Sequence, residues 1–392
     1  MKGVITRTIL VLSLVSLFTD IASEMLYPVM PIFLKSIGFS VLFIGILEGI
    51  AEAIAGFGKG YFGKLSDASG KRLPFVRLGY SLSAISKPMM ALIIHPLWIL
   101  LGRTLDRVGK GVRTGARDAI LSAETTPGFK GQVFGFHRAF DTVGAALGPS
   151  IALVFLYFYP GRYIPLFYIA FIPGVLAIAL TFLMKEQKNI EPSADKSKGF
   201  FSFLKYWKPS PTEYKRLVAG LLVFTLVNSS DVFLLLMAKH RGLPDSMVII
   251  VYIFYNMVYA VFSEPVGRLG DKIGLKYMLI AGLVFFTFVY TGMAFAATTP
   301  VFFILFFLYG IYASATEGIS KAWITNIVRE NEAATAIGFY TGFQSICTLV
   351  ASVAAGFLWS AVSPKAPFLL AASATAGVVV YMVVGVKYKK QN

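Results

Sequence analysis

Gly63-Lys64-Leu65-Ser66-Asp67-Ala68-Ser69-Gly70-Lys71-Arg72 returns 204 positions later as Gly267-Arg268-Leu269-Gly270-Asp271-Lys272-Ile273-Gly274-Leu275-Lys276. Both copies read Gly-x-Leu-x-Asp-x-x-Gly followed by base, and both stand between long apolar runs. Gly135-Phe136 and Gly338-Phe339 repeat with almost the same offset, 203. The chain is therefore read as two like-oriented halves, 1–184 and 215–392, joined by the polar stretch 185–214. In that stretch Phe200-Phe-Ser-Phe-Leu-Lys-Tyr-Trp207 has two readings: a short helix with its aromatics at headgroup level, or a segment packed on the ends of the helices.

Composition says where the halves reside. Hydrophobic residues make up 56% of the chain and charged residues 14%, against ~25% charged in an ordinary soluble protein. Apolar runs of about twenty residues, long enough to cross a bilayer as helices, recur from end to end. Twelve spans are read, near 6–34, 41–62, 73–94, 97–120, 132–157, 162–184, 215–238, 245–266, 275–297, 300–326, 334–361 and 366–387. The expected fold class is an all-α membrane protein of two pseudo-symmetric six-helix bundles. The formal charge of +16 would suit nucleic acid only if the bases formed one patch. They sit instead at the ends of apolar runs, as topogenic charge does, so no nucleic-acid partner is expected. The segment 185–216 holds eight Lys/Arg and the tail adds Lys387, Lys389 and Lys390, which places both termini in the cytoplasm of an inner-membrane, multi-pass protein. One cysteine, Cys347, and three histidines without ligand spacing leave no disulfide framework, metal site or cofactor to expect.

Ionisable groups inside the spans are costly and are functional candidates by default. Asp20 and Glu24 are four apart on the first span and share a face. Arg103, Asp106, Arg107, Lys110, Arg113 and Arg117 step by three or four along the fourth, forming one stripe. Asp141 lies on the fifth span, followed by Gly144-Ala-Ala-Leu-Gly148-Pro149. There the two glycines allow close helix approach and the proline removes a backbone hydrogen bond. Asp106 is expected to pair with Arg103 or Lys110, and Asp118 with Lys71 or Arg72. In the second half Asn228 and Asp231 stand on the seventh span, Glu317 and Lys321 on the tenth, and Tyr340 and Gln344 on the eleventh. Glu48 and Glu52 are a further acidic pair on the second span.

The duplicated Gly-x-Leu-x-Asp-x-x-Gly motif resembles the signature of the major facilitator superfamily, and the resemblance covers essentially the whole chain. It implies a transporter and not an enzyme, with Gly63, Asp67, Gly70, Arg72, Asp118, Gly267, Asp271 and Gly274 at the cytoplasmic gate. Arg107-Val-Gly-Lys-Gly111 is similar to the family's Arg-x-x-x-Gly motif, which implies proton coupling through Asp20, Glu24, Arg107 and Asp141. Gly144, Gly148 and Pro149 resemble the packing motif of its antiporter branch, although Ser150-Ile-Ala follows where the fuller form carries more glycines. Helices 1, 4 and 5 of that fold line a central cavity, and Arg103, Asn228, Asp231, Glu317, Tyr340 and Gln344 are expected at its substrate site.

These readings converge on a monomeric secondary transporter working by alternating access, with proton-coupled efflux of small amphipathic organic molecules as the expected activity. Two alternatives stand beside it: proton-linked uptake or exchange of an organic anion, and a non-transporting sensor or scaffold built on a transporter fold.

Overall fold

A computed structural model describes residues 4–27, 29–38, 41–186 and 199–386. The side chains of Glu48 and Glu52, and the 187–198 part of the polar stretch, lie outside what it describes. Fourteen α-helices are present among the described residues: α1 (Arg7–Leu26), α2 (Val29–Ser36), α3 (Val41–Ser69), α4 (Leu73–Leu92), α5 (Pro96–Ala123), α6 (Lys130–Phe158), α7 (Ile164–Thr181), α8 (Thr212–Thr225), α9 (Val232–His240), α10 (Asp245–Ile273), α11 (Leu275–Phe295), α12 (Thr299–Ile327), α13 (Ala333–Ala361) and α14 (Ala366–Gly385). No strand occurs among the described residues. Seven of the spanning helices qualify by length and apolarity alone, and α5 is not among them because of its charge stripe.

Fourteen helices make twelve spans because two spans are divided. The first is divided into α1, ending at Leu26, and α2, starting at Val29; the sequence carries a proline there, a residue type with no N–H to continue a helix. The seventh, expected to run unbroken over 215–238, is interrupted between Thr225 and Val232. Asn228, Ser229, Ser230 and Asp231 fill that gap, and short polar side chains compete with the helix for backbone hydrogen bonds. The signature motifs also differ from expectation: they are helix ends rather than loops. α3 runs to Ser69 and α10 to Ile273, so Asp67 and Asp271 stand on final turns. Gly70 (φ 65°) and Gly274 (φ 110°) then leave the helix in a conformation that favours glycine.

The chain resolves into two compact units. The first comprises residues 1–125, 140–209 and 328–342; the second comprises 126–139, 210–327 and 343–392. In the first, α5 packs on α3 and α4, and α7 packs on α1 and α4. In the second, α12 packs on α10 and α11, and α14 packs on α11. The pairings α3·α5, α4·α5 and α4·α7 thus recur as α10·α12, α11·α12 and α11·α14, which is the sequence repeat expressed as packing.

Polar side chains stitch the first unit internally. Lys87 on α4 is buried and its Nζ lies 2.6 Å from Asp106 Oδ1 on α5. The same Nζ donates to Ser23 Oγ on α1 at 3.2 Å. Arg113 donates to Ser83 Oγ at 2.6 Å and lies 4.6 Å from the centre of the Tyr80 ring. Asp106 thus pairs across to α4, while Arg103 and Arg107 of its own helix act on it as well.

Part of the aromatic segment packs within the first unit, while Phe200, Phe201 and Leu204 stay exposed. The 3-10 turn Ser202–Trp207 sits in the first unit, with Phe203 buried against Gly60 and Trp207 stacked on Phe339 at 5.6 Å. Lys64 Nζ donates to Ser202 O at 3.3 Å, and Tyr206 donates to Glu332 at 3.4 Å. Burial first, and then the Glu332 charge, push the Tyr206 phenol well above its ordinary value, so it stays protonated as the donor.

Candidate functional site

In the first unit α1 presents Asp20 and Glu24, both half-buried, and α6 presents the buried Asp141. The glycine motif explains how the two helices come so close. A Cβ on Gly144 would stand 2.6 Å from Leu17 O and 3.0 Å from Asp20 Cβ. One on Gly148 would stand 2.7 Å from Met25 N and 2.8 Å from Ile21 O. The motif thus packs α6 onto the stretch of α1 that carries the acids. The charges acting on Asp20 are Asp141 and Glu24 of like sign, and Lys110 and Arg113 of opposite sign. Lys110 is exposed on α5. Arg117 donates to Asp118 Oδ1 at 2.9 Å and to Ser16 Oγ on α1 at 3.2 Å.

Arg103 and Arg107 fall elsewhere. Both act on Asp106, beside Lys87. Arg113 acts on Lys87 and on Asp20, Lys110 acts on Asp20 and Arg117 on Asp141. Asp118 is held by Arg117 next to it at 2.8 Å, where Lys71 or Arg72 was expected. Arg72 is committed to Asp67, Ala119 O and Glu330. Lys87 and Tyr80 were missed by the sequence reading. A lone lysine beside Pro88 in an apolar span was the available signal.

The second unit has its own polar centre at the break before α9. Asp231 accepts from Tyr309 Oη at 2.6 Å and from Tyr255 Oη at 3.4 Å. Asn228 donates to Tyr312 Oη at 3.0 Å and accepts from Tyr290 Oη at 3.4 Å. Ser230 N donates to Ser352 Oγ at 3.1 Å, so side chains satisfy backbone that the broken helix leaves open. Glu317 pairs with Arg138 at 2.7 Å. Arg138 Nε also donates to Tyr259 Oη at 2.5 Å. The tyrosines form a ring cluster here: the Tyr255 and Tyr309 rings are 5.0 Å apart, those of Tyr309 and Tyr312 5.1 Å. Tyr340 is buried and Gln344 half-buried on α13, and they fall in different units.

The two signature motifs do the same thing twice. Asp67 Oδ2 accepts the backbone N–H of Thr335 at 2.7 Å and its hydroxyl at 2.8 Å, at the start of α13. Asp271 accepts the N–H groups of Gly131 at 2.8 Å and Gln132 at 2.7 Å, at the start of α6. Each aspartate caps a helix whose first N–H groups have no intrahelical partner. The first glycine of each motif marks the crossing: a side chain on Gly63 would strike Ala334 O, and one on Gly267 would strike Gly131 O. This is why residues 328–342 belong to the first unit and 126–139 to the second. The copies differ at the trailing base. Arg72 is buried against Asp67 at 3.8 Å, whereas Lys276 donates to Val383 O and Val386 O at the end of α14.

Comparison with known proteins agrees with this arrangement. The family model of the Major Facilitator Superfamily matches residues 12–240 and 217–392. "Uncharacterized MFS-type transporter MJ1317" of Methanocaldococcus jannaschii is 35% identical over 371 residues, covering 93% of this chain and 91% of the relative. This chain belongs to the major facilitator superfamily. "Multidrug resistance protein MdtG" of Escherichia fergusonii is 23% identical, covering 96% and 93% of the two chains. Among solved structures, the human organic anion transporter MFSD10 superposes with a TM-score of 0.79 at 16% identity, over 96% of this chain and 99% of that one. The MFS transporter FucP gives 0.75 at 14% identity, over 97% and 99%. These likenesses show the fold. The protein is a multi-pass membrane transport protein of this superfamily, not an enzyme.

In a superfamily member the contact of α6 on α1 is open to a direct test. Gly148→Ala gains up to about 1 kcal/mol of helix propensity, yet its methyl group must displace the backbone of α1. The variant is expected to melt below the native protein in detergent. Gly377→Ala on α14, where a Cβ meets nothing within 4 Å, should melt at or above it. Equal melting of the two variants would remove the packing argument.

Proposed function

We propose that the protein is a secondary active transporter that exports small amphipathic organic molecules in exchange for protons, by alternating access of its halves 1–184 and 215–392. The observation that carries this is the Asp20 cluster. Asp20 feels the like charges of Asp141 and Glu24 and the opposite charges of Lys110 and Arg113, and Arg117 acts on Asp141. A cluster of acids drawn together among bases inside a membrane is the kind of place where one proton changes the balance of charge. The base stripe, with Arg107 at its far end, then senses whether that proton is present. In the second half Asp231, Asn228 and the tyrosines supply aromatic surface and a few fixed polar groups, the usual make-up of a small-molecule site. The likeness to a multidrug resistance protein supports export as the direction. Both termini are placed in the cytoplasm and the protein in the cytoplasmic membrane.

The test is proton flux. Purified protein in liposomes holding a pH gradient should dissipate it when an amphipathic substrate is added, and only then. Flux evoked by organic anions alone would favour the exchange reading, which the α5 bases motivate. Binding without any flux would favour a sensor.

Asp67 and Asp271 are assigned to the cytoplasmic gate by the same reasoning. Asp67→Asn keeps one acceptor for Thr335 but removes the charge facing Arg72. A weakening of about 1–3 kcal/mol, or roughly 5–150-fold in the closed population, is expected. Ser66 is fully buried beside it, so Ser66→Cys in a Cys347→Ser background reports the change. Its thiol should react faster with a polar maleimide when Asp67→Asn is added; an unchanged rate in folded protein would retire the gate assignment.

A further inference from the structure

A cavity of about 360 Å³ opens in the first unit where α1 begins and where α5 and α7 end, and none of the roles above uses it. Its walls are Arg7, Thr8 and Val11 from α1, Glu124 just past α5, and Leu183 to Glu186 after α7. The volume lies at the low end of the ~300–1,000 Å³ typical of ligand sites, enough for a headgroup.

The acids of the cavity are already committed. Glu124 accepts the Thr6 hydroxyl at 2.8 Å, and Thr6 in turn caps α1 by accepting from Ile9 N at 3.2 Å. Glu186 accepts the N–H groups of Arg72 at 3.0 Å and Leu73 at 3.1 Å, where α4 starts. Its bases are not committed. Arg7 and Lys185 are exposed and have no partner among the described residues. Two bases beside carboxylates held by other donors make the cavity a receptor for an anion.

The surroundings say which kind of anion. Leu10, Phe182 and Leu183, in or next to the lining segments, are 41%, 66% and 53% exposed. In a membrane protein such surface is covered by acyl chains. We propose that this cavity binds the phosphate of a membrane phospholipid, held between Arg7 and Lys185 with its chains along Leu10, Phe182 and Leu183. The bound lipid braces the entry of α1, the helix that carries Asp20, against the ends of α5 and α7.

The experiment uses the full-length protein, stripped of lipid in detergent and titrated while bound lipid is counted by native mass spectrometry. Three probes are compared: phosphatidylglycerol, a galactosyl diacylglycerol without phosphate, and inorganic phosphate. Phosphatidylglycerol should bind saturably and the galactolipid should not. Arg7→Ala/Lys185→Ala should weaken phosphatidylglycerol binding about tenfold or more, as two interfacial bases should, whereas Arg7→Lys/Lys185→Arg should retain it. Both positions are exposed, so the variants fold. Equal binding of the galactolipid, or an unaffected double-alanine variant, overturns the proposal. Inorganic phosphate binding as tightly as the lipid overturns it in favour of a free-anion site.

Discussion

Lys87→Met is expected to cost the first unit about 3–5 kcal/mol, the usual penalty for stranding one member of a buried ion pair. Lys87 is 2% exposed and Asp106 7%, and their 2.6 Å contact joins α4 to α5. Methionine fills nearly the same volume, so the loss comes from charge and not from a cavity. Asp106 would keep Arg103 and Arg107 within reach, which sets the lower end of the range. Adding Asp106→Leu should recover most of the stability, because two apolar groups in place of a buried pair are often neutral. The comparison is made by thermal unfolding of the purified protein in detergent. If the double variant is no more stable than the single one, the pair is not what holds α4 on α5.

The sequence carried most of the architecture because that architecture follows from periodic and compositional signals. The repeated Gly-x-Leu-x-Asp-x-x-Gly motif located two helix ends in equivalent places, and the structure gives both aspartates the same capping task at Thr335 and at Gly131. The charge stripe on α5 was equally legible, since a step of three or four residues fixes a helix face. Partner choice was not. Asp106, Asp118 and Glu317 each have a partner that spacing did not suggest: Lys87, Arg117 and Arg138. Those choices depend on which helices touch and at what height, which spacing within one helix does not encode. The broken seventh span shows the converse. Asn228-Ser-Ser-Asp231 was visible as polarity, but the hydropathy of its flanks read as one unbroken helix. The tyrosines of α10, α11 and α12 that bond Asn228 and Asp231, with Ser352 at the Ser230 N–H, make a break there tolerable.

Asp20→Asn should abolish transport driven by a pH gradient while leaving substrate binding largely intact. The glycine contact of α6 on α1 brings Asp141 towards Asp20, and Glu24 stands one turn along. With Lys110 and Arg113 opposite, each proton gained or lost at this cluster changes which bases are matched, and the arrangement that matches them best changes too. A proton can therefore shift the balance between two states by as much as it prefers one over the other. Asparagine is nearly isosteric and cannot titrate, so it fixes the cluster in one charge state and uncouples the two events. Exchange of substrate without a gradient should survive, because that cycle requires no proton change. Asp231→Asn should do the reverse, altering affinity while ΔpH still drives uphill movement, since Asp231 is tied to Tyr309 and Tyr255 in the second unit. Vesicles containing each variant, loaded under ΔpH alone and assayed for accumulation, distinguish the two. If Asp20→Asn vesicles still accumulate substrate against its gradient, the proton site lies elsewhere, and Asp231 with the Arg138–Glu317 pair becomes the place to look.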